Sequence, residues 1–408
     1  MPYYSFVMLC YNKWNFTKQA ITTLVESLSL SHKNKDIELI IVNNGSSDET
    51  KEGIEQIKKL YSNKIEVVPV HLKENMGYPV GVNMGLEHYK GEIITIVNND
   101  LVFPENWFDG IVNTLASDPS IGVAAPFLSY GSGPEHLGVS FASLNEMRKF
   151  AKQYMEENKD KKIYSERIIG ACISFKKEVL ELIGGNDFWF GLGLYDDDDW
   201  SLRAGIAGYK SVITGASFVH HIGTVTLNQQ SDTLASAFHA NYPKFTRKWL
   251  KSGFDPAGNR KGIIQHTRYS RQEHYFPCKI DDFNEIAPSN MNDLNVNKRK
   301  MIIVADWSND RSQWRNRLLN LNGELPVDGN NLLYLWIPKT YFLYEEIVNE
   351  VEKILDKNTF CIHYLFDEVP PIDLLQFFSK YDAFLAIEDD YVNKYFKYLL
   401  ANAPLEIQ

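Results

Sequence analysis

The sequence contains few cysteines, no long apolar run and no excess of basic residues. Its four cysteines are scattered over 408 residues, with neither the paired spacing of a metal site nor a disulfide framework. No stretch approaches the ~20 consecutive apolar residues of a membrane-spanning helix. Residues 1–10 lack the basic start and apolar core of a signal peptide. We therefore expect a cytoplasmic protein without an integral membrane segment.

The charge balance argues against a nucleic-acid-binding protein. The chain has 52 acidic and 42 basic residues and a formal net charge of −10, whereas proteins that coat nucleic acid usually carry the opposite sign. Aromatic residues make up 13%, and we assign most of them to core packing. A chain of 408 residues suggests two or three domains.

Short apolar runs alternate with amphipathic segments over the first hundred residues. This pattern predicts parallel strands with helices on both faces of the sheet. The predicted strands lie at 4–10, 37–42, 65–70 and 92–97. Open sheets of this kind bind ligands at the carboxyl ends of their strands, so the residues that follow each strand are the candidates for chemistry.

The pattern predicts a first domain at 1–251, a polar connector at 252–298 and a small α/β domain at 299–408. The last domain has predicted strands at 301–305, 332–337, 360–366 and 383–387. Its first strand is followed by Asp306-Trp307-Ser308 instead of a glycine-rich phosphate loop. We therefore expect it to serve acceptor binding or self-association into a homo-oligomer, and not donor binding.

Two polar segments follow predicted strands and have alternative explanations. In the run 43–48, side-chain amides can read a nucleobase edge, but a helix N-cap by Ser46 or Ser47 explains the same residues. In the segment 74–85, Gly81 and Gly85 lie four residues apart on one helix face. A ligand or another backbone can approach closely there, although helix packing alone explains these glycines as well.

Two acidic segments suggest a metal site and a general base. Asp100 ends the run Asn98-Asn99-Asp100 after the fourth strand, where a carboxylate suits Mg²⁺ or Mn²⁺; a turn before Pro104 is the alternative. Four adjacent carboxylates, Asp196 to Asp199, precede a predicted helix at 200–207. One of them can act as a base, because like charges and burial raise a carboxyl pKa. An exposed acidic turn is the alternative.

The order and spacing of these clusters resemble the inverting family 2 glycosyltransferases, which have the GT-A fold. The resemblance covers about residues 4–223 and departs from the family pattern at Asn43, Asn98 and Asp196, where Asp, Asp and Glu are usual. The matching motifs are Cys10-Tyr11-Asn12, Asn43 to Asp48, Asn75 to Gly85, Asn98-Asn99-Asp100, Gly170-Ala171-Cys172 with Gly184-Gly185, Asp196 to Arg203, Gly208-Tyr209 and His220.

The resemblance implies a GT-A type Rossmann-like mixed sheet with helices on both faces, and a specific set of site residues. It implies Mn²⁺ or Mg²⁺ held by Asp100 and His220, with the adjacent His221 as the other candidate, and Asp197 as the catalytic base. The residues expected to contact the acceptor, on the same side of the site as the base, are Gly170, Ala171, Trp189 and Asp199. The implied donor contacts are Cys10, Tyr11, Asn12, Asn43, Asn44, Asn75, Gly77, Asn83, Asn98 and Asn99.

The expected function is transfer of a hexosyl or N-acetylhexosaminyl group from a nucleotide-diphosphate sugar, with UDP as the first choice. The acceptor would be a hydroxyl group of a glycan or protein. One alternative is a catalytically decayed module that binds a sugar or a partner. Another is a nucleotidyltransferase, which needs a glycine-rich basic loop after the first strand; this chain has Cys10-Tyr11-Asn12-Lys13-Trp14 there.

Overall fold

The structure is a computed structural model of the 408-residue chain. Part of the predicted connector, residues 284–297, and the first residue of the predicted strand 360–366 lie outside the described residues. The structure describes residues 3–31, 37–223, 231–283, 298–309, 312–324, 331–355, 361–401, 403 and 405–408.

The chain up to residue 283 contains nine strands and ten α-helices among the described residues. The strands are β1 (Tyr4–Cys10), β2 (Ile37–Asn44), β3 (Glu66–Leu72), β4 (Ile93–Asn98), β5 (Leu101–Val102), β6 (Ile121–Leu128), β7 (Lys162–Tyr164), β8 (Cys172–Lys176) and β9 (Lys210–His221). The helices are α1 (Trp14–Ser31), α2 (Thr50–Tyr61), α3 (Tyr78–Leu86), α4 (Trp107–Ser117), α5 (Leu144–Glu157), α6 (Lys177–Ile183), α7 (Asp196–Ile206), α8 (Ser231–Leu250), α9 (Arg260–His266) and α10 (Arg271–His274).

These nine strands form one mixed sheet in the order β3-β2-β1-β4-β8-β6-β9-β5, with β7 paired to β9. The first four strands run parallel, whereas β8 is antiparallel to both of its neighbours. The residues of β2 are buried along its whole length, as expected for a parallel strand covered on both faces. The carboxyl ends of β1, β2 and β4 therefore meet at one edge of the sheet.

A second, all-parallel sheet follows, in the order β12-β11-β10-β13-β14. Its strands are β10 (Arg299–Val304), β11 (Asn331–Trp336), β12 (Cys361–Leu365), β13 (Ala383–Phe384) and β14 (Glu406–Ile407). Its helices are α11 (Trp314–Glu324), α12 (Tyr344–Ile354), α13 (Leu374–Phe378) and α14 (Tyr391–Leu399). The two sheets confirm the expected fold class, a mixed α/β sheet with helices and a second, smaller α/β part.

The two compact units of the structure are not continuous in sequence. The first comprises Met1–Asp187, Asp196–Ser231 and Asn259–Cys278, and the second comprises Phe188–Tyr195, Asp232–Gly258 and Lys279–Gln408. The predicted boundaries at 251 and 298 do not coincide with these units. The physical reason is packing: the Trp189 ring contacts Trp336 of the second sheet, while Phe276 pairs through its backbone with the first unit at Gly185.

Two helices differ from the sequence-based expectation. The acidic run does not precede helix α7 but forms its first turn, because the helix begins at Asp196 and not at residue 200. Carboxylates are stabilised there by the positive end of the helix dipole. The stretch 149–162, whose many charged residues predict one solvated helix, instead contains the end of helix α5 at Glu157 and the first residue of strand β7, Lys162. Among the described residues, no helix is both long and apolar enough to cross a membrane.

Candidate active site

A chain of hydrogen bonds joins three of the predicted site segments at the edge of the first sheet. The Tyr78 hydroxyl lies 3.1 Å from Asn98 Oδ1 and 3.1 Å from the Gly170 carbonyl oxygen, so its proton can be donated to either. The Gly170 N–H donates to Asp197 Oδ2 at 2.9 Å. The structure thus brings the end of β4, the segment before β8 and the first turn of α7 to one place.

Only one of the four carboxylates in α7 is accessible. Asp196, Asp198 and Asp199 are 4%, 3% and 0% exposed, whereas Asp197 is only partly buried. Asp198 lies 2.9 Å from Arg167 Nε and also pairs with Arg260. The run is therefore not an exposed acidic turn, and Asp197 is the member that a substrate can reach.

The environment of Asp197 raises its pKa to about 6. Burial is the largest cause and the negative charge of Asp198 adds to it, while the Gly170 N–H and Arg167 act in the opposite direction. A carboxyl group with this pKa is ionised near neutral pH but binds a proton more readily than an ordinary aspartate. This is the property that a general base requires.

Asp199 has a structural role, because it forms a buried ion pair with Arg203. Its Oδ2 accepts a hydrogen bond from Arg203 Nε at 2.8 Å, and both side chains are fully buried. The Arg203 guanidinium also donates to the carbonyl oxygens of Ile183, at 2.5 Å, and Gly185, at 2.7 Å. This pair therefore connects α7 to the Gly184-Gly185 turn, and Asp199 presents no surface to an acceptor.

Asp100 lies close to His221. The Nε2 atom of His221 lies 3.3 Å from Asp100 Oδ1. Its Nδ1 lies 3.0 Å from the Tyr130 carbonyl oxygen, and because a carbonyl only accepts, Nδ1 carries a hydrogen. Burial lowers the pKa of His221, but the hydrogen bond to Asp100 and its charge raise it above the ordinary value overall.

His220 faces a different environment, because successive residues of a strand point to opposite faces. Its Nδ1 is 2.7 Å from Ser129 Oγ, and its ring packs edge-on against Phe141. Burial and the neighbouring His221 lower its pKa. Of the two histidine candidates, His221 is thus the one that the structure places against Asp100. The described residues contain no cluster of three or more His, Cys, Asp or Glu side chains suited to a metal.

Several predicted donor-binding amides hold turns together. Asn44 is buried, and its side chain accepts from Met76 N at 2.9 Å and donates to Asn75 Oδ1 at 3.0 Å. Asn43 Oδ1 accepts from Ser46 N at 3.0 Å, and Asn12 Oδ1 accepts from Ser47 N at 2.8 Å. These bonds fix the loops at the ends of β1 and β2, and they use the amide oxygens of Asn12 and Asn43 and both polar atoms of the Asn44 amide.

The serines of this turn do not cap helix α2, which begins at Thr50. The Ser46 hydroxyl instead accepts from the Asn12 backbone at 2.8 Å. Asp48 accepts from Thr50 N at 3.1 Å and from Trp14 N at 3.1 Å, so one carboxylate ties the starts of α1 and α2 together. The N-cap alternative for Ser46 and Ser47 is therefore wrong.

The remaining predicted donor contacts differ in accessibility. Cys10 is buried with its thiol 3.2 Å from the Val42 carbonyl oxygen, and burial raises its pKa. Asn83 is buried and exchanges two hydrogen bonds with the backbone of Asn186. Asn99 donates to Thr17 Oγ1 at 2.9 Å. Tyr11, at 40% exposed, is the predicted donor contact with the most free surface among those with a side chain.

The acceptor-side predictions separate into two groups. Gly170 lies against the base: a Cβ atom there would be 3.2 Å from Asp197 Cβ. The Ala171 carbonyl oxygen accepts from Asn98 N at 2.9 Å. Trp189, in contrast, is 3% exposed and belongs to the second unit, where its ring stacks on Tyr341. Its buried ring offers no free face to a sugar.

Two residues of the site were missed in the sequence. Tyr78 is partly buried, and burial together with the negative charges of Asp196, Asp197 and Asp100 raises its pKa well above the ordinary value. Its signal is its position as the first residue of α3, directly after Gly77, whose φ is +80°. Glu135 is buried and accepts from Ile169 N at 2.6 Å, which fixes the segment next to Gly170; no sequence pattern marks it.

Comparison with known proteins finds a family model that matches part of the chain. Residues 5–184 match the model described as glycosyl transferase family 2. An uncharacterized glycosyltransferase of Rickettsia prowazekii is 32% identical over 114 residues, which cover 28% of this chain and 32% of that protein. The poly-beta-1,6-N-acetyl-D-glucosamine synthase of Staphylococcus aureus is 28% identical over 118 residues, covering 29% of this chain and 26% of that protein.

Among solved structures, this chain is similar to a mannosyltransferase from Pyrobaculum calidifontis in complex with GDP-mannose and Mn²⁺. The TM-score is 0.46 with 16% identity, and the match covers 65% of this chain and 68% of that one. In contrast, the matched segment spans only about a quarter to a third of the length of the two curated relatives.

Proposed function

We propose that the first unit, whose residues 5–184 match the model of glycosyl transferase family 2, transfers a sugar from a nucleotide-diphosphate sugar to a hydroxyl group with inversion at the anomeric carbon. The observation that carries the proposal is the state of Asp197. It is the accessible member of a buried acidic run, it is oriented by the Gly170 N–H at 2.9 Å, and its pKa is raised to about 6.

Asp197 acts as the general base in this reaction. Its carboxylate takes the proton of the acceptor hydroxyl while the hydroxyl oxygen forms a bond to the anomeric carbon. The bond from that carbon to the donor phosphate oxygen breaks, and the electron pair leaves with the nucleoside diphosphate. One base and one displacement predict inversion, by the same logic as single-step inverting glycosidases.

Asp100 and His221 fit a divalent cation at the leaving-group end. Their facing atoms, Oδ1 and Nε2, are 3.3 Å apart, and the other ring nitrogen of His221 bonds to a backbone carbonyl. Metal-bound histidines usually have such a second bond, which fixes the ring orientation. Bound Mn²⁺ or Mg²⁺ would offset the charge of the leaving diphosphate. Two protein ligands suffice when substrate phosphates supply others.

The donor and acceptor classes are further parts of the proposal. We propose a UDP-linked hexose or N-acetylhexosamine as the donor and a glycan or protein hydroxyl as the acceptor. The name of the Staphylococcus aureus relative, an N-acetylglucosamine polymer synthase, supports the N-acetylhexosamine and the glycan. The second unit would serve acceptor binding or self-association, since no glycine-rich loop follows β10.

The first experiment is a thermal-shift screen of UDP- and GDP-linked sugars with Mn²⁺ or with a chelator. A donor should raise the melting temperature by mass action, and only with the metal present. The change Asp100→Asn should abolish this shift, whereas the exposed Asp160→Asn should retain it. A donor that stabilises the chain equally in chelator would contradict the metal site, and a bound donor that is never hydrolysed or transferred would favour a decayed binding module.

A further inference from the structure

The second unit has the topology of a ligand-binding sheet. In the order β12-β11-β10-β13-β14, the chain leaves β10 towards β11 on one side and leaves β13 towards β14 on the other. The strand order therefore reverses between the neighbouring strands β10 and β13. In open parallel sheets, ligands bind in the crevice outside the carboxyl ends of the strands at such a switch point.

A cavity of about 240 Å³ lies at this place. Asp306 and Asn309, which follow β10, line it together with Asp389 and Lys394, which follow β13. Helix α8 closes another side with several residues, including Ala240 and Asn241. All of the lining residues belong to the second unit, so the cavity does not depend on the first.

The carboxylate in the cavity wall is held by buried partners. Asp306 is 3% exposed, and its Oδ1 lies 2.8 Å from Nζ of the fully buried Lys244. Lys244 also donates to the Trp189 carbonyl oxygen at 2.8 Å. The neighbouring Asp390 accepts from Asp306 N at 2.8 Å and from Asn393 N at 2.8 Å. These contacts fix the two strand-end loops against each other, as a pre-formed site requires.

Asn241 has an acceptor atom that the protein leaves unused. Its Nδ2 donates to the carbonyl oxygens of Phe190, at 2.7 Å, and Gly193, at 2.6 Å, which fixes the orientation of the amide. The residue is 2% exposed, and Oδ1 has no hydrogen-bond partner within the part of the chain that the structure describes. An unpaired buried acceptor destabilises the folded protein, and a hydrogen bond from a ligand hydroxyl would remove that penalty.

The chemistry of the wall selects the class of ligand. The carboxylates of Asp306 and Asp389 and the amide oxygen of Asn241 are hydrogen-bond acceptors, and Lys394 is the cation among the cavity residues named here. Asp306 is already paired with Lys244, the Asp389 carboxylate repels a phosphate, and Asp306-Trp307-Ser308 offers no glycine-rich loop to hold one. A neutral ligand with several hydroxyl donors satisfies these acceptors. The volume lies below the ~300 Å³ at which pockets for drug-sized ligands begin, which suits a single sugar ring.

We propose that the second unit carries a carbohydrate-binding site in this cavity and that it holds one neutral sugar residue. The inference goes beyond the proposed function, since the site is built without any residue of the first unit and needs no transfer reaction. Asp306, Asp389 and Asn241 accept hydrogen bonds from the sugar hydroxyls, and the cavity closed by α8 limits the ligand to one ring.

Ligand-observed NMR on the full chain tests the proposal, with glucose, galactose, mannose and N-acetylglucosamine as probes and with UDP and inorganic phosphate as anions. We expect saturable binding of at least one sugar, unaffected by Asp100→Asn in the first unit. Ala240→Met, which fills the cavity, should weaken binding at least tenfold. Asp389→Asn should weaken it several-fold, since asparagine tolerates the φ of +55° found there.

The controls separate this site from the proposed transfer site. Asp160→Asn, an exposed change in the first unit, should leave sugar binding unaltered, and Ala240→Met should leave donor hydrolysis unaltered. If Ala240→Met does not fold, Asp389→Asn decides. The proposal is overturned if the folded chain binds none of the sugars, if binding survives both cavity variants, or if phosphate occupies the cavity and Lys394→Ala abolishes that binding.

Discussion

Replacing Asp197 by asparagine should separate the activity of the chain from its stability. Asparagine retains the size of the side chain and an oxygen for the Gly170 N–H, which lies 2.9 Å away, but it cannot take a proton. Loss of a general base typically lowers the rate by ~10²–10⁴-fold. We therefore expect Asp197→Asn to lose most of its transfer activity while binding the donor with nearly unchanged affinity.

The same substitution should not destabilise the protein at neutral pH. The carboxyl pKa is about 6 in the folded chain against 3.8 for an ordinary aspartate, a difference equivalent to about 3 kcal/mol. Because the folded state binds the proton more tightly, this group lowers the stability of the wild type as pH rises from about 4 to about 6. The penalty is complete above pH 6, and the variant lacks it. About 3 kcal/mol is an upper limit, since asparagine also loses the bond from Asp198 N.

Chemical denaturation at pH 4 and pH 7.5, with single-turnover transfer at saturating donor, measures both effects. The stability difference between Asp197→Asn and the wild type should shift in favour of the variant at the higher pH. The wild-type rate should rise with pH through about 6, the pKa of the base. A variant that transfers sugar within a few-fold of the wild type would place the base elsewhere. A variant that is less stable at pH 7.5 than at pH 4, relative to the wild type, would contradict the raised pKa.

Four further substitutions test the surroundings of this base. His221→Ala should remove metal-dependent donor stabilisation in a thermal-shift assay, whereas His220→Ala should retain it. The reverse result would make His220 the metal ligand. Tyr78→Phe removes the hydroxyl 3.1 Å from Gly170 O, so the pH profile of transfer should move while donor affinity stays nearly constant; an unmoved profile would make Tyr78 a packing residue only. Asp199→Asn leaves Arg203 buried without its charge partner, which typically costs about 3–5 kcal/mol; denaturation midpoints like those of the wild type would contradict the buried pair.

The elements and the strand edges were predictable because they depend on local patterns. The apolar runs of β1, β2 and β4 and the helices between them follow from periodicity. Asp197 could be singled out through the family resemblance, but the sequence could not show which of the neighbouring carboxylates are buried and paired. Burial of Asp198 between Arg167 and Arg260 depends on residues more than 30 positions away, which no local pattern reveals.

The hydrogen-bond partners of the asparagine amides and the packing of Trp189 could not be predicted from the sequence. Asn44 and Asn83 stand where donor contacts were expected, but each is committed to backbone groups of distant segments. Trp189 follows the first unit in sequence and packs in the second. The choice between His220 and His221 depended on which face of β9 meets Asp100, and this is set by the pairing of β9 with β5.

The interleaved units have a consequence for synthesis of the chain. The polypeptide passes between the two units at five points, after residues 187, 195, 231, 258 and 278. The first unit therefore lacks its last segment until Cys278 has left the ribosome, by which time two pieces of the second unit are already exposed. Domains usually fold as units in the order of their synthesis. Here the nascent chain must keep the aromatic turn Phe188–Phe190 and helix α8 from aggregating while their partner sheet is still being translated.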